Sequence, residues 1–313
     1  MTPARAPSWR KHRGLLVMLV PGLLFFLVFH YIPMSGVVIA FKQFRMSDGI
    51  LGSSWNGLEN FRRLFLGADF LDALRNTIVI SLLRLGFGFF APIILALLLN
   101  ELRLSWYKRT IQTLTYMPFF FSWVILGGIF LMIFSTRGPA NQVVRVFQSA
   151  PLVGPTLFGT EPIRFLTHDA WFIVVLIATG IWHSVGYAAV IYLAALAGID
   201  PALYEAATVD GAGRWKQTWH ITIPCLTPTI VTLFILSLGG ILNAGFDQIY
   251  NMYNPMVYDA ADIIDTYVLR RMWHMDFALG TAAGLFKSAV GLALIVIVNA
   301  IANRLSGGEQ GIW

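Results

Sequence analysis

Residues 204–224 read YEAATVDGAGRWKQTWHITIP, and they carry Glu205, Asp210, Arg214 and Lys216 between two long apolar runs. Each run is long enough for the roughly 20 residues a helix needs to cross a bilayer. Just upstream, Asp200 offers a side-chain acceptor for a helix N-cap, and Pro201 suits the first helical position. Residues 203–209 then supply about two turns at ~3.6 residues each. Ala206 and Ala207 keep one face thin, so another surface can approach closely. Gly211 and Gly213 end the helix, because glycine tolerates backbone angles that other residues resist. Trp215 and Trp219, four apart, share a face, and Pro224 marks the start of the next apolar run. The segment 200–222 therefore predicts a helix-turn-helix lying flat on a membrane surface, charges outward, fixed to two spans. Such an element can seat in a partner's cleft and pass rigid-body motion to the spans. An ordinary interfacial loop is the alternative that the residues alone leave open.

The whole composition supports a membrane setting. Of 313 residues, 57% are hydrophobic and 12% charged. Soluble domains average about 25% charged. A chain with so little charge needs lipid over much of its surface, so membrane lipid is a partner. The net charge of +6 suits headgroup attraction and basic cytoplasmic segments. No basic stripe interleaved with aromatics appears, which argues against nucleic acid. A single cysteine, Cys225, excludes an internal disulfide and a multi-cysteine metal site.

The fold class is all-α and polytopic, with spans expected at about 14–40, 77–100, 110–134, 170–194, 223–246 and 281–303. Residues 1–13 and 306–313 form the tails of a permease-type domain over 14–305. The basic stretch before the first span resembles a signal peptide, but its apolar run is long and lacks a small-x-small site, so it reads as a retained span. Lys and Arg counts on the two sides tie; the basic N-terminal tail places the N-terminus in the cytoplasm. The segment 200–222 is then cytoplasmic. Residues 55–75 show the apolar spacing of short amphipathic helices at the outer interface.

Arg84 and Lys287 are the only Asp, Glu, Lys or Arg residues within the six spans. Each is expected a few residues inside the outer end of its span. They either snorkel to headgroups or line a path, where an anionic sugar would neutralise them. His183 reads first as a packing residue and second as a substrate contact. Gly239, Gly240 and Asn243 can loosen the fifth span, and Asp247 gates or caps its outer end. Asp259, Asp262 and Asp265 read as solvated helix caps. No metal site and no catalytic residue is expected: GxxxxGK[ST], GxSxG and HExxH are all absent.

Glu205-Ala206-Ala207, three residues, Gly211, nine residues, Ile221, one residue, then Ile223-Pro224 resembles the EAA motif of ABC importer permeases. Asp210 and Ala212 fit its common form; Ile223 stands where the family usually has Leu. Further stretches, among them GLENFRRLF, FAPIILALLLNEL, VYDAADIIDTYVLRR and the terminal GIW, extend the likeness to the oligosaccharide and polysaccharide branch, most closely to alginate importer permeases. The resemblance implies the six-span type I importer fold and a second permease subunit, different from this one. It also implies two cytoplasmic ATPase subunits carrying ATP and Mg, a periplasmic solute-binding protein and a saccharide substrate. Glu205, Ala206, Ala207, Asp210, Gly211, Arg214 and Pro224 would then couple to the ATPase. Rival classes are an ion-coupled transporter, which usually needs intramembrane carboxylates, and a membrane glycosyltransferase, for which only Glu205 and Asp210 offer carboxylates at that face.

Overall fold

The computed structural model describes residues 13–149 and 161–305. The two expected tails, and the terminal GIW with them, lie outside the described residues apart from Arg13. The chain divides into two compact units, Met1–Leu66 with Arg271–Leu285, and Gly67–Arg270 with Phe286–Trp313. The main helices are α1 (Arg13–Phe26), α2 (Glu59–Leu66), α3 (Ala68–Asn100), α4 (Ser105–Tyr116), α5 (Trp123–Ile133) and α6 (Pro139–Gln148). They continue as α7 (Asp169–Ala197), α8 (Pro201–Val209), α9 (Arg214–Gly239), α10 (Phe246–Met252), α11 (Ile264–Trp273) and α12 (Phe277–Leu305).

Among the described residues, five helical runs are long and apolar enough to cross a membrane: Leu16–Phe41, Ala68–Asn100, Asp169–Ala197, Arg214–Gly239 and Phe277–Ala300. The expected third span is not one straight helix. Ser105–Phe120 and Trp123–Ile133 meet at 104°. Pro118 tightens the end of the first piece into a 3-10 turn, and Phe121 and Ser122 are extended. His183 on α7 places Nε2 3.3 Å from the Phe121 carbonyl oxygen, where a donor relieves a group freed by the break.

Two π-turns interrupt the spans, and each directly precedes an Ile-Pro pair. Leu27–Tyr31 comes before Ile32-Pro33, and Thr218–Thr222 before Ile223-Pro224. Proline has no N–H to continue the ladder, and the widened turn lets the isoleucine N–H reach back to Leu27 O or Thr218 O. Pro224 therefore lies inside a continuous helix that starts at Arg214, rather than at the start of the span. The span also ends early, at Gly239, so Asn243 is not helical and Asp247 belongs to the separate α10.

In the first unit, Lys42–Gln43 pairs antiparallel with Ser54–Trp55. Buried Asn60 of α2 donates to the Ala40 and Lys42 carbonyls, both at 2.9 Å, and Trp55 stacks on Phe41. Of the residues expected as interfacial helices, only 59–66 form one; Phe70, Leu71 and Leu74 already belong to α3. The second unit packs α3 along α7. Ile93, Ala96, Ala189, Tyr192 and Leu226 form a core at one end; Ile80, Phe172, Leu176 and Ile249 form one at the other. Gly186 lets α7 approach the Thr115 backbone where a Cβ would clash.

Candidate functional site

Two places in the second unit gather the residues singled out from the sequence. The first is the α8–α9 hairpin. Asp200 caps α8, its Oδ1 accepting from the Ala202 N–H at 2.9 Å, with Pro201 at the first position. The helix ends as its sequence predicts. Gly211 takes φ +75°, its N–H donates to Thr208 O at 3.1 Å, and the Ala212 N–H donates to Ala207 O at 2.8 Å. This pair of bonds is a Schellman cap, which needs a residue content with positive φ.

Side chains then fasten α8 to α9. The Tyr204 hydroxyl and buried Thr222 Oγ1 are 3.0 Å apart. Gln217 Nε2 donates at 3.0 Å to both Thr208 Oγ1 and the Ala212 carbonyl. Arg214 pairs with Glu101 at the end of α3 at 3.3 Å, with both side chains about half exposed. None of α8 is buried: Glu205, Ala206, Asp210 and Gly211 are exposed, Ala207 is half-buried, and Val209 is 88% exposed. The stub is rigid toward its own chain and bare on its outer side. Trp215 and Trp219 pack edge to face and line an apolar groove with Ile94, Leu98 and Ile223.

The second place is a cavity of about 380 Å³ between α3, α7 and α9. Arg84 is the one charged residue in its lining, which also includes Asn243. Because α3 begins at Ala68, Arg84 sits near the helix middle, about 24 Å along the axis at ~1.5 Å per residue, and not near the outer end. Its guanidinium does not snorkel. Nη2 donates to Gln248 Oε1 on α10, and Gln248 Nε2 is held by the Leu176 carbonyl and Thr179 Oγ1, each at 2.8 Å. Gly245, at φ +83°, lies flat against the guanidinium, where any Cβ would overlap it.

The remaining predicted path residues lie elsewhere. His183 packs against Trp123 and Phe119 beside the span break, and Asp247 is exposed on α10. Lys287 is not free for a ligand: Nζ donates to both Asp265 oxygens at 2.6 Å. The expectation of solvated caps at Asp262 and Asp265 fails for the same reason. Asp262 is 5% exposed and forks onto Arg270, with bonds of 3.0 and 2.5 Å. Burial lowers the Arg270 pKa, but the hydrogen bond and charge of Asp262 outweigh it and carry it above the ordinary value. No group of three or more metal-ligating side chains forms among the described residues. Sequence reasoning missed Gln248, Glu101 and the Tyr204–Thr222 link, whose partners lie 164, 113 and 18 residues away.

Residues 88–307 match the family of binding-protein-dependent transport system inner membrane components. The chain is 43% identical over 304 residues to YteP, the polygalacturonan/rhamnogalacturonan transport system permease protein of Bacillus subtilis (strain 168), covering 97% of this chain and 91% of that one. It superposes with a TM-score of 0.83 and 37% identity on a chain of a bacterial ABC transporter that imports the acidic polysaccharide alginate, covering 94% of this chain and 96% of that one. A second alginate transporter structure, in complex with an alginate pentasaccharide-bound periplasmic protein, gives a TM-score of 0.83 at 36% identity, covering 97% and 98%. Over nearly its whole length, then, this multi-pass chain belongs to the binding-protein-dependent inner membrane components, and is a bacterial ABC importer permease subunit whose ATP hydrolysis resides in separate subunits.

Proposed function

We propose that the chain carries an acidic oligo- or polysaccharide across the bacterial inner membrane, after delivery by a solute-binding protein, and that the α8–α9 hairpin is its handle for an ATPase. The bare, firmly stapled α8 carries this reading. A helix that buries none of its residues, yet follows α7 directly in the chain and is stapled to α9 by Tyr204, Gln217 and the cap at Gly211, is built to be held by another protein. Glu205, Asp210 and Arg214 supply its charges, and Ala206 and Ala207 its close-approach face. ATPase closure moves the hairpin, and the spans α7 and α9 follow it. Only a difference in preference of nucleotide and loaded binding protein between two states drives such a cycle. The N-terminus is cytoplasmic in this reading, and the transporter is completed by two ATPases and a second, different permease. The run Leu16–Phe41, α3, the bent α4–α5 pair, α7, α9 and α12 are the six crossings in this reading. The substrate class rests on the relatives described above, which serve polygalacturonan/rhamnogalacturonan and alginate, and on the single cation in the cavity.

The test is uptake by the whole reconstituted transporter carrying Glu205→Lys or Gly211→Asp. Uptake driven by ATP should fall at least tenfold with unchanged amounts of permease in the membrane. Normal uptake in both variants would remove the coupling role.

A further inference from the structure

Two residues lining the cavity between α3, α7 and α9, one helical turn apart, each carry a buried donor that is unmet. Ser81 is 4% exposed and Arg84 follows it by three residues, so both face the same way on α3. Ser81 Oγ and Arg84 Nε are buried and have no hydrogen-bond partner among the described residues. Both residues line the cavity, and no Asp or Glu does. Buried donors are nearly always satisfied, and an orphan is costly. An unneutralised cation within a span is costlier still.

The anchoring explains why the charge survives. Gln248 is an amide, so it fixes the guanidinium without neutralising it. Gln248 itself is 1% exposed and is tied to Leu176 and Thr179 on α7. Gly245 closes one face of the guanidinium, and Gly180 packs within 3.1 Å of Gln248 Oε1 for a notional Cβ. Glutamate at 248 could also accept from Arg84 and would cancel the charge, but it would have no donor for the Leu176 carbonyl. By contrast, Lys287 and Arg270 in the same unit each have a carboxylate. The lining adds neutral polar residues: Asn243, and Ser184 and Ser237, whose hydroxyls donate to their own helices and keep acceptor capacity. The volume lies within the ~300–1,000 Å³ usual for small-molecule sites.

We infer that Ser81 and Arg84, positioned by Gln248 and Gly245, form a preorganised subsite for one carboxylate of a uronate residue in transit. Arg84 gives charge-assisted N–H donors, Ser81 gives a hydroxyl donor, and Asn243 serves the sugar hydroxyls. This deepens the acidic-saccharide reading above and rests on it. Gln248 is a positioning residue: it sets the direction and net charge of the guanidinium without touching the sugar.

The experiment uses the complete transporter with its binding protein in proteoliposomes. Probes are a short oligogalacturonide and its fully methyl-esterified counterpart of equal length. Read out is the ratio of acidic to esterified uptake under ATP. Arg84→Gln should lower that ratio at least tenfold, Ser81→Ala about threefold, and Arg84→Lys should recover most of it. Gln248→Glu can still accept from Arg84 and supplies the missing negative charge, but loses the donation to the Leu176 carbonyl; it should lower the ratio as Arg84→Gln does. Binding-protein-stimulated ATP hydrolysis shows that each variant is assembled. An unchanged ratio in assembled Arg84→Gln and Gln248→Glu transporters overturns the subsite while leaving the acidic-saccharide reading intact. A wild-type transporter that takes up neither probe but moves a neutral oligosaccharide overturns that reading itself, and the subsite with it.

Discussion

Arg84 and Lys287 look alike in sequence, each a lone cation in an apolar run, and the fold separates them. Lys287 is neutralised by Asp265, 22 residues away on α11, while Arg84 is pinned by an amide 164 residues away. Nothing local in either run announces its partner, because the pairing is made by how α11 and α10 return to α12 and α3. The same holds for Asp262, whose charge suggested a cap and whose burial makes it an ion-pair partner. Removing one member of a buried pair leaves the other uncompensated, at about 3–5 kcal/mol. Arg270 keeps a quarter of its side chain exposed, so Asp262→Asn should cost toward the lower end of that range. The loss should show as a lower thermal midpoint of the purified complex, partly restored in Asp262→Asn/Arg270→Gln. Equal midpoints for wild type and Asp262→Asn would mean the pair contributes nothing.

At the scale of elements, α8 was almost fully legible. Asp200, Pro201 and Gly211 are local signals with local causes, and each does what its chemistry dictates. The ends of the spans were less so. Gly239-Gly240 was expected to loosen a helix and instead terminates it, and the third span breaks at Phe121-Ser122. Pro118 hinted at that break, but the His183 contact that supports it comes from α7 and could not be read from spacing. The cap at Gly211 offers a test at this scale. Gly211→Ala keeps the element neutral and small but places a Cβ at φ +75°, costing about 1 kcal/mol. The hairpin should lose rigidity, so ATP hydrolysed per sugar imported should rise severalfold while the amount of assembled transporter stays near wild type. An unchanged ratio would show that the turn geometry is not needed for force transfer.

For the whole molecule, composition gave the solvent and the apolar runs gave five crossings and the bent pair among the described residues, but neither gave what they surround. The most apolar window of the Leu16–Phe41 run has none of its residues buried. Hydrolysis is done in separate subunits, and the chain's part as proposed above is mechanical. That claim is tested most directly at Val209, the most exposed apolar side chain of α8, in a transporter whose exposed Cys225 has been replaced by serine. A cysteine introduced by Val209→Cys should cross-link to the ATPase subunit with a short bifunctional reagent, and the yield should change between ATP-bound and nucleotide-free complexes. A fully assembled, transporting complex in which that position cross-links to no ATPase in either state would contradict the account.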